Sequence, residues 1–300
     1  MNITITGATG FIGRRLIKRL SAAPHQLHAL TRRTNVKFDD VAVWVSNWDP
    51  ETEEPPRPSL ANADAIVHLA GEPIAQRWTP EARRQIRESR IQGTRRLVQA
   101  LSTQSHKPAV LVCGSAVGIY GSRGDEVLTE SSAPGSDFLA ELCQEWEKEA
   151  MQAESLGIRV ARIRTGVVLG KGGGALQRML PAFKAFAGGR IGDGNQWMSW
   201  IHLDDLVGII CHALEHPMSG AFNGTAPNPV RNSIFTKELA SALHRPALLP
   251  VPPFALRMIF GEMAEIIIGG QRVLPKATEA AGYRFQYPDL GQALRASLAP

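Results

Sequence analysis

The sequence predicts an α/β protein: a doubly wound parallel sheet with a smaller α/β lobe towards the C-terminus. Three observations predict it. Short apolar runs alternate with longer helical patterns through the first half of the chain. Those runs are apolar almost throughout, as strands covered on both faces are, instead of alternating with polar residues. A glycine loop, Gly7-Ala8-Thr9-Gly10-Phe11-Ile12-Gly13, joins the first run to the first helical pattern.

The strands follow from the apolar runs at Asn2–Thr6, Gln26–Thr31, Val41–Ser46, Ala65–Leu69, Ala109–Gly114 and Arg159–Ile163. Helical periodicity appears at Phe11–Ala22, Pro80–Gln104 and Phe138–Leu156 between them. Beyond about residue 165 the texture changes. Glycine-rich segments and proline clusters separate shorter elements, with helices expected at Asp205–Glu215, Ile234–Leu243 and Phe254–Ile268. The last carries Leu256, Ile259, Phe260, Met263, Ile266 and Ile267 on one helical face. A chain of 300 residues suits about two domains. The expected division is 1–165, with a segment of about 196–225 returning to it, and a lobe over 166–300 whose terminal part spans about 250–295.

Bulk composition excludes several classes. Apolar residues make up 44% and charged residues 20%, which is ordinary globular usage. Cys113, Cys143 and Cys211 are too sparse for a disulfide framework, and none has zinc-ligand spacing, so no metal is expected. The start lacks a basic segment followed by a long apolar core, and Arg257, Glu262 and Glu265 interrupt the longest apolar candidate, so neither a leader nor a membrane span is expected. These readings point to a cytoplasmic protein, a monomer or homodimer. The net charge of +5 and the run Arg83, Arg84, Arg87, Arg90, Arg95 and Arg96 invite a nucleic-acid reading. No nucleic-acid signature accompanies the run, and it reads as a solvated helix face.

The glycine loop carries the chemistry. It follows a strand and opens a helix, the context that a dinucleotide fingerprint requires. Its spacing is GxxGxxG: Gly7 for the tight turn, Gly10 for close approach of backbone to a pyrophosphate, Gly13 for helix–strand packing. Thr9, Phe11 and Ile12 complete the turn, and the helix N-terminus faces the anion. The second strand ends Ala29-Leu30-Thr31-Arg32-Arg33. A carboxylate there would bond a ribose 2′-hydroxyl, whereas a guanidinium binds a 2′-phosphate. NADP(H) is therefore the expected cofactor, with Arg32 as clamp, Thr31 as an added donor and Arg33 as a further contact.

Four segments together resemble an extended or atypical short-chain dehydrogenase/reductase: the glycine loop, Val67-His68-Leu69-Ala70-Gly71, Ser115-Ala116-Val117-Gly118-Ile119-Tyr120-Gly121, and Trp200-Ile201-His202-Leu203-Asp204-Asp205. More narrowly the chain is similar to the bacterial YfcH-type epimerase family, also called SulA-like cell-division inhibitor homologues. Glu88-Ser89-Arg90, Arg164 to Gly170, Gly192 to Trp197 and Pro275-Lys276-Ala277 carry that likeness. The resemblance implies a Rossmann-type core with the cofactor across its strand ends. It places Leu69, Ala70 and Gly71 beneath the adenosine–pyrophosphate region, and Gly166, Val167 and Val168 beside the nicotinamide. Arg90 stands where extended members usually have Asn, and it either reaches the cofactor or is one more solvated arginine.

One departure is definite. Such enzymes use a Tyr-x-x-x-Lys pair, the lysine lowering the tyrosine pKa. This chain has three tyrosines, Tyr120, Tyr283 and Tyr287, and their fourth following residues are Gly124, Tyr287 and Gly291. Ala116 stands where the family's catalytic Ser or Thr belongs. Ser115, Glu72 and His202 are the substitute candidates for acid–base work, while Asp204 reads as an N-cap for the helix after it. Trp78, Trp197 and Trp200 either line a substrate pocket or fill the core between lobes. The expectation is an NADP(H)-dependent oxidoreductase or epimerase-like enzyme acting on an unknown small molecule. The alternative is a non-catalytic NADPH-binding protein with a regulatory or division-linked role.

Overall fold

In the computed structural model, which describes residues 1–38, 41–247 and 249–299, seven strands form one parallel sheet. They are β1 (Asn2–Thr6), β2 (Gln26–Thr31), β3 (Val43–Asn47), β4 (Ala65–His68), β5 (Val110–Ala116), β6 (Arg159–Thr165) and β7 (Gly220–Gly224). The order across the sheet is β7-β6-β5-β4-β1-β2-β3, and every neighbouring pair is parallel. The chain passes from β1 outwards to β2 on one side and later to β4 on the other. The strand order reverses there, which opens a crevice at the carboxyl ends of β1 and β4.

Alternate residues of each strand feed two opposite cores, which is why the runs had to be apolar on both faces. Ile3, Ile5, Val67, Val112 and Ile163 join α1 (Phe11–Leu20) and a helix at Leu203–Glu215 on one face. Ile66, Leu111 and Val160 join α2 (Pro80–Ser102) and α3 (Phe138–Met151) on the other. A third core holds Leu169, Trp200, Phe235, Leu239, Leu290 and Leu294, and builds the lobe over the strand ends.

Three expectations need correction. The strand β7 was not foreseen, because Gly220-Ala221-Phe222-Asn223-Gly224 offers one large apolar side chain between two glycines. The single helix expected at Phe254–Ile268 is two, Pro253–Phe260 and Ala264–Ile268. Gly261, at φ +62°, turns the chain between them in a conformation that L side chains rarely adopt. The single apolar face is thereby divided: Ile259 is 60% and Ile266 38% exposed, while Met263 is buried. The arginine helix α2 is not simply solvated. Arg83 pairs with Glu262, Arg84 with Glu81 and Glu88, Arg87 with Glu145 and Arg95 with Glu149. No described helix is long and apolar enough to cross a membrane.

Candidate cofactor site

The floor of the crevice is built by hydrogen bonds beneath the glycine loop. Thr6 ends β1 fully buried, and its Oγ1 accepts from the backbone N–H groups of Leu69 and Ala70, each at 3.1 Å. The same hydroxyl lies 2.7 Å from His68 Nδ1, and His68 Nε2 lies 3.0 Å from Thr94 Oγ1. With its oxygen already accepting, Thr6 donates its proton to Nδ1, so His68 is neutral and donates from Nε2 to α2. Burial, helped by nearby Arg90, lowers the His68 pKa to about 4, which keeps it neutral.

Above this floor the loop meets its steric requirements. Gly7 adopts φ +66°, and a Cβ there would come within 2.5 Å of Leu69 O. A Cβ on Gly13 would lie 2.4 Å from Gly7 O. Gly10 differs: its Cβ would meet a single neighbour, Gly7 O at 3.1 Å. The space over Gly10 is thus left for something other than protein. Gly10 caps α1 without a side-chain hydrogen bond, and the first turn contains no acidic residue. The opening N–H groups of α1 have no acceptor within the helix, so they form an anion site.

The crevice is an open cleft of about 1620 Å3. Its lining includes Gly7, Thr9 to Gly13, Leu69, Pro73 to Ala75, Gly166 to Val168 and His202 to Asp204. The strand Trp200–His202 pairs in parallel with Val167–Leu169, which sets Ile201 beside Val168 and His202 beside Leu169. Beside the glycine loop, Thr31 closes β2, with its Oγ1 3.4 Å from Thr9 Oγ1 and accepting from Arg33 N. Arg32 is half exposed and carries two carboxylate partners, Glu72 at 3.2 Å and Glu51 at 3.8 Å. Loop N–H groups that suit a pyrophosphate, and a guanidinium on the residue after Thr31, fit a phosphorylated dinucleotide in chemistry.

The other candidates sit differently. Arg90 neither extends into water nor enters the cleft: its guanidinium donates to Glu72 O at 2.9 Å and Ile86 O at 3.1 Å, packed against Gly71. Burial lowers its pKa to about 10. Ser115 is 5% exposed, and its hydroxyl donates to Glu147 Oε1 at 2.7 Å, away from the cleft. Of Ser115, Glu72 and His202, His202 alone lines the cleft. His202 is also the N-cap of the helix, its Nδ1 accepting from Asp204 N at 3.2 Å. Asp204 is therefore not the cap; the helix begins at Leu203, and Asp204 pairs with Arg15. Its proton being on Nε2, His202 is neutral, and burial lowers its pKa against the opposing pull of Asp204 and Asp205. Its ring lies 4.0 Å from that of Tyr287.

Sequence reasoning missed the residue that organises the wall behind the site. Glu147 accepts from Ser115, Arg162 and both ends of Arg164, and is 3% exposed. Arg164 also donates to Tyr120 OH, which in turn donates to Asn223 on β7. Burial opposes the charge on Arg164, but Glu147 and Tyr120 together raise its pKa. On α3, Leu139 packs on Gly118, and Cys143 and Glu147 are buried. A second missed residue is Asp205, fully buried, which accepts from Tyr283 OH, Gln286 N and Tyr287 N and so docks the C-terminal segment. The acidic residues were visible in sequence, but their partners lie far along the chain. Of the tryptophans, Trp200 is buried in the lobe core, Trp78 packs on Phe138 and Trp197 stacks with Arg231 and Arg272.

A reversed strand order, a glycine loop opening a helix and a cleft over both define a dinucleotide-binding protein of Rossmann type. The chain belongs to the NAD dependent epimerase/dehydratase family, whose sequence profile matches residues 3–225; a domain of unknown function, DUF1731, matches residues 251–297. It is 46% identical over 308 residues to the chloroplastic epimerase family protein SDR39U1 homolog of Arabidopsis thaliana, covering 99% of this chain and 86% of that protein. It is 41% identical to the epimerase family protein YfhF of Bacillus subtilis, covering 100% of this chain and 98% of that one. Human epimerase family protein SDR39U1 (isoform 2), crystallised with NADPH, superposes with a TM-score of 0.89 at 33% identity, over 99% of each chain.

Proposed function

We propose that this protein binds NADP(H) across the cleft and performs oxidoreductase or epimerase-like chemistry on a small molecule stacked beside Val168. The carrying observation is the free opening N–H groups of α1 on the cleft, together with Arg32 directly after Thr31, whose hydroxyl lies 3.4 Å from that of Thr9 in the glycine loop. The human relative crystallised with NADPH supports the phosphorylated cofactor, although the family's description names NAD. In this reading Gly7, Thr9, Gly10, Phe11, Ile12 and Gly13 hold the pyrophosphate, Thr31, Arg32 and Arg33 the 2′-phosphate, and Leu69 and Val168 the cleft floor and nicotinamide end. Ala70, Gly71 and Arg90 support the floor from behind. Residues 1–165, with 196–225, act as the cofactor half, and the remainder as the substrate lobe. The cofactor supplies or accepts hydride. His202, neutral with its proton on Nε2, is the acid–base candidate that reaches the cleft, and it replaces the absent Tyr-x-x-x-Lys pair.

The test is fluorescence titration with NADPH and NADH. NADPH binds more tightly, and Arg32→Ala weakens it about tenfold or more by removing a charge-assisted contact, while NADH changes little. Preference for NADH in the wild type overturns the reading. A second reading, a cofactor-binding regulator without catalysis, is favoured by the engagement of Ser115 with Glu147 and of His202 Nδ1 with the helix start. Single-turnover hydride transfer across carbonyl compounds and nucleotide sugars separates the two, because any transfer that depends on His202 excludes the regulator.

A further inference from the structure

The end of β2 carries no carboxylate, yet the fold delivers two to its arginine from elsewhere: Glu72 from beyond β4 and Glu51 from beyond β3. We infer that Glu72 sets cofactor selectivity as an exchangeable counter-ion of Arg32, which a 2′-phosphate must displace and a ribose 2′-hydroxyl need not. This inference rests on the NADP(H) reading above.

The two partners of the pair are held very differently. The Glu72 backbone is fixed on both sides, its N–H donating to Ser89 Oγ at 3.0 Å and its carbonyl accepting from Arg90 at 2.9 Å. Ser89 is 2% exposed, so this anchor belongs to the interior of α2. The Arg32 side chain is 50% exposed and hangs from the strand end. An arginine paired at the surface is held weakly enough to change partners. A phosphate dianion is the stronger acceptor for a guanidinium fork. The Glu72 backbone cannot withdraw with it, however, so its carboxylate stays within side-chain reach of the incoming phosphate as a like charge. Glu72 thus attenuates NADPH binding. Towards NADH it has the opposite effect, as an acceptor near the unphosphorylated ribose, the part usually played by an acid on β2 itself.

The test titrates NADPH and NADH against the wild-type protein, Glu72→Gln, Glu51→Gln and Arg32→Ala. Gln keeps the shape of Glu72 and both backbone anchors while removing the charge. Glu72→Gln tightens NADPH about two- to fivefold, the range of an exposed ion pair, and leaves NADH unchanged or weaker. Glu51→Gln, whose carboxylate stands farther off, gives a smaller gain in the same direction. An unchanged NADPH/NADH ratio in Glu72→Gln overturns the inference. So does a loss of NADPH binding comparable to that of Arg32→Ala, which would make Glu72 a strut for the clamp, and so does a larger gain from Glu51→Gln. A wild-type protein that binds neither cofactor overturns the NADP(H) reading itself and this inference with it.

Discussion

Two single-methyl substitutions in the glycine loop separate its fold requirement from its ligand requirement. At Gly13 an added Cβ would lie 2.4 Å from Gly7 O, 2.7 Å from Ala8 Cα and 2.8 Å from Ala8 C, all backbone atoms that cannot rotate aside. Overpacking of this kind costs about 1–3 kcal/mol. With about 0.6 kcal/mol per degree of unfolding entropy for a 300-residue chain, that lowers Tm by about 2–5 °C. At Gly10 the added Cβ meets only Gly7 O at 3.1 Å, and φ −75° suits alanine. The cost to the free protein there is about 1 kcal/mol or less, mainly from a poorer helix cap. A methyl at Gly10 instead occupies the space left for a pyrophosphate, so NADPH binding falls about tenfold or more, equivalent to about 1.4 kcal/mol. The assay pairs thermal unfolding without cofactor against NADPH titration for both variants. Gly10→Ala that binds NADPH within about twofold of wild type, or that loses as much Tm as Gly13→Ala, refutes the assignment of Gly10 to the ligand.

Three other expectations follow. His68 stays neutral in the folded protein down to about pH 4, whereas the unfolded chain protonates it near its ordinary value of 6.5. Its contribution is therefore intact above about pH 6.5 and is lost as pH falls towards 4, at up to about 1.4 kcal/mol per pH unit; urea unfolding between pH 7 and 4.5 shows a steeper decline in wild type than in His68→Gln. Glu147→Gln leaves Arg162 and Arg164, 15% and 10% exposed, without their carboxylate and destabilises by about 3–5 kcal/mol in urea unfolding; a loss below about 1 kcal/mol contradicts the network's structural role. His202→Asn retains a capping side chain, so its stability stays within about 0.5 kcal/mol of wild type, while His202→Ala loses about 1 kcal/mol; both slow single-turnover hydride transfer about 100-fold if His202 moves the proton, and an unchanged rate in both leaves it a cap.

What the sequence shows of this molecule is what depends on neighbours along the chain. Gly7 and Gly13 meet Leu69 and each other's loop, and their spacing alone announces that turn. The strands β1, β2, β4, β5 and β6 read as apolar runs because each is covered on both faces. Edge strand β7 does not, since its place is secured by pairing with β6 and by Asn223, whose side chain accepts from Tyr120 and donates to Leu274 O. Arg32 was legible as a cation at the end of β2, but its carboxylate partners were not, because Glu72 lies 40 residues away and reaches it only through the β4 turn. The cap at His202 shows a finer limit. Asp204 is a stronger capping residue by type, yet the helix starts two residues earlier than Asp204 would require, and the histidine ring takes the free N–H.

The absence of the Tyr-x-x-x-Lys pair was certain from sequence; its physical consequence was not. The helix α3 that would carry the pair turns Cys143 and Glu147 inward, with Leu139 against Gly118. Burial and the Glu147 charge raise the Cys143 thiol to about 12, so it is neither a nucleophile nor a proton donor near neutral pH. Tyr120, the nearest tyrosine, has its own pKa raised by burial and both its hydrogen-bonding roles filled by Arg164 and Asn223. Ser115 is held by a carboxylate that two arginines already neutralise. The wall on that side of the sheet is therefore a closed ionic network, with no proton to exchange at neutral pH. On the proposed catalytic reading, the proton comes instead from the opposite side, where His202 stands next to Leu169 and one residue from the Val168 pairing, or from the substrate itself.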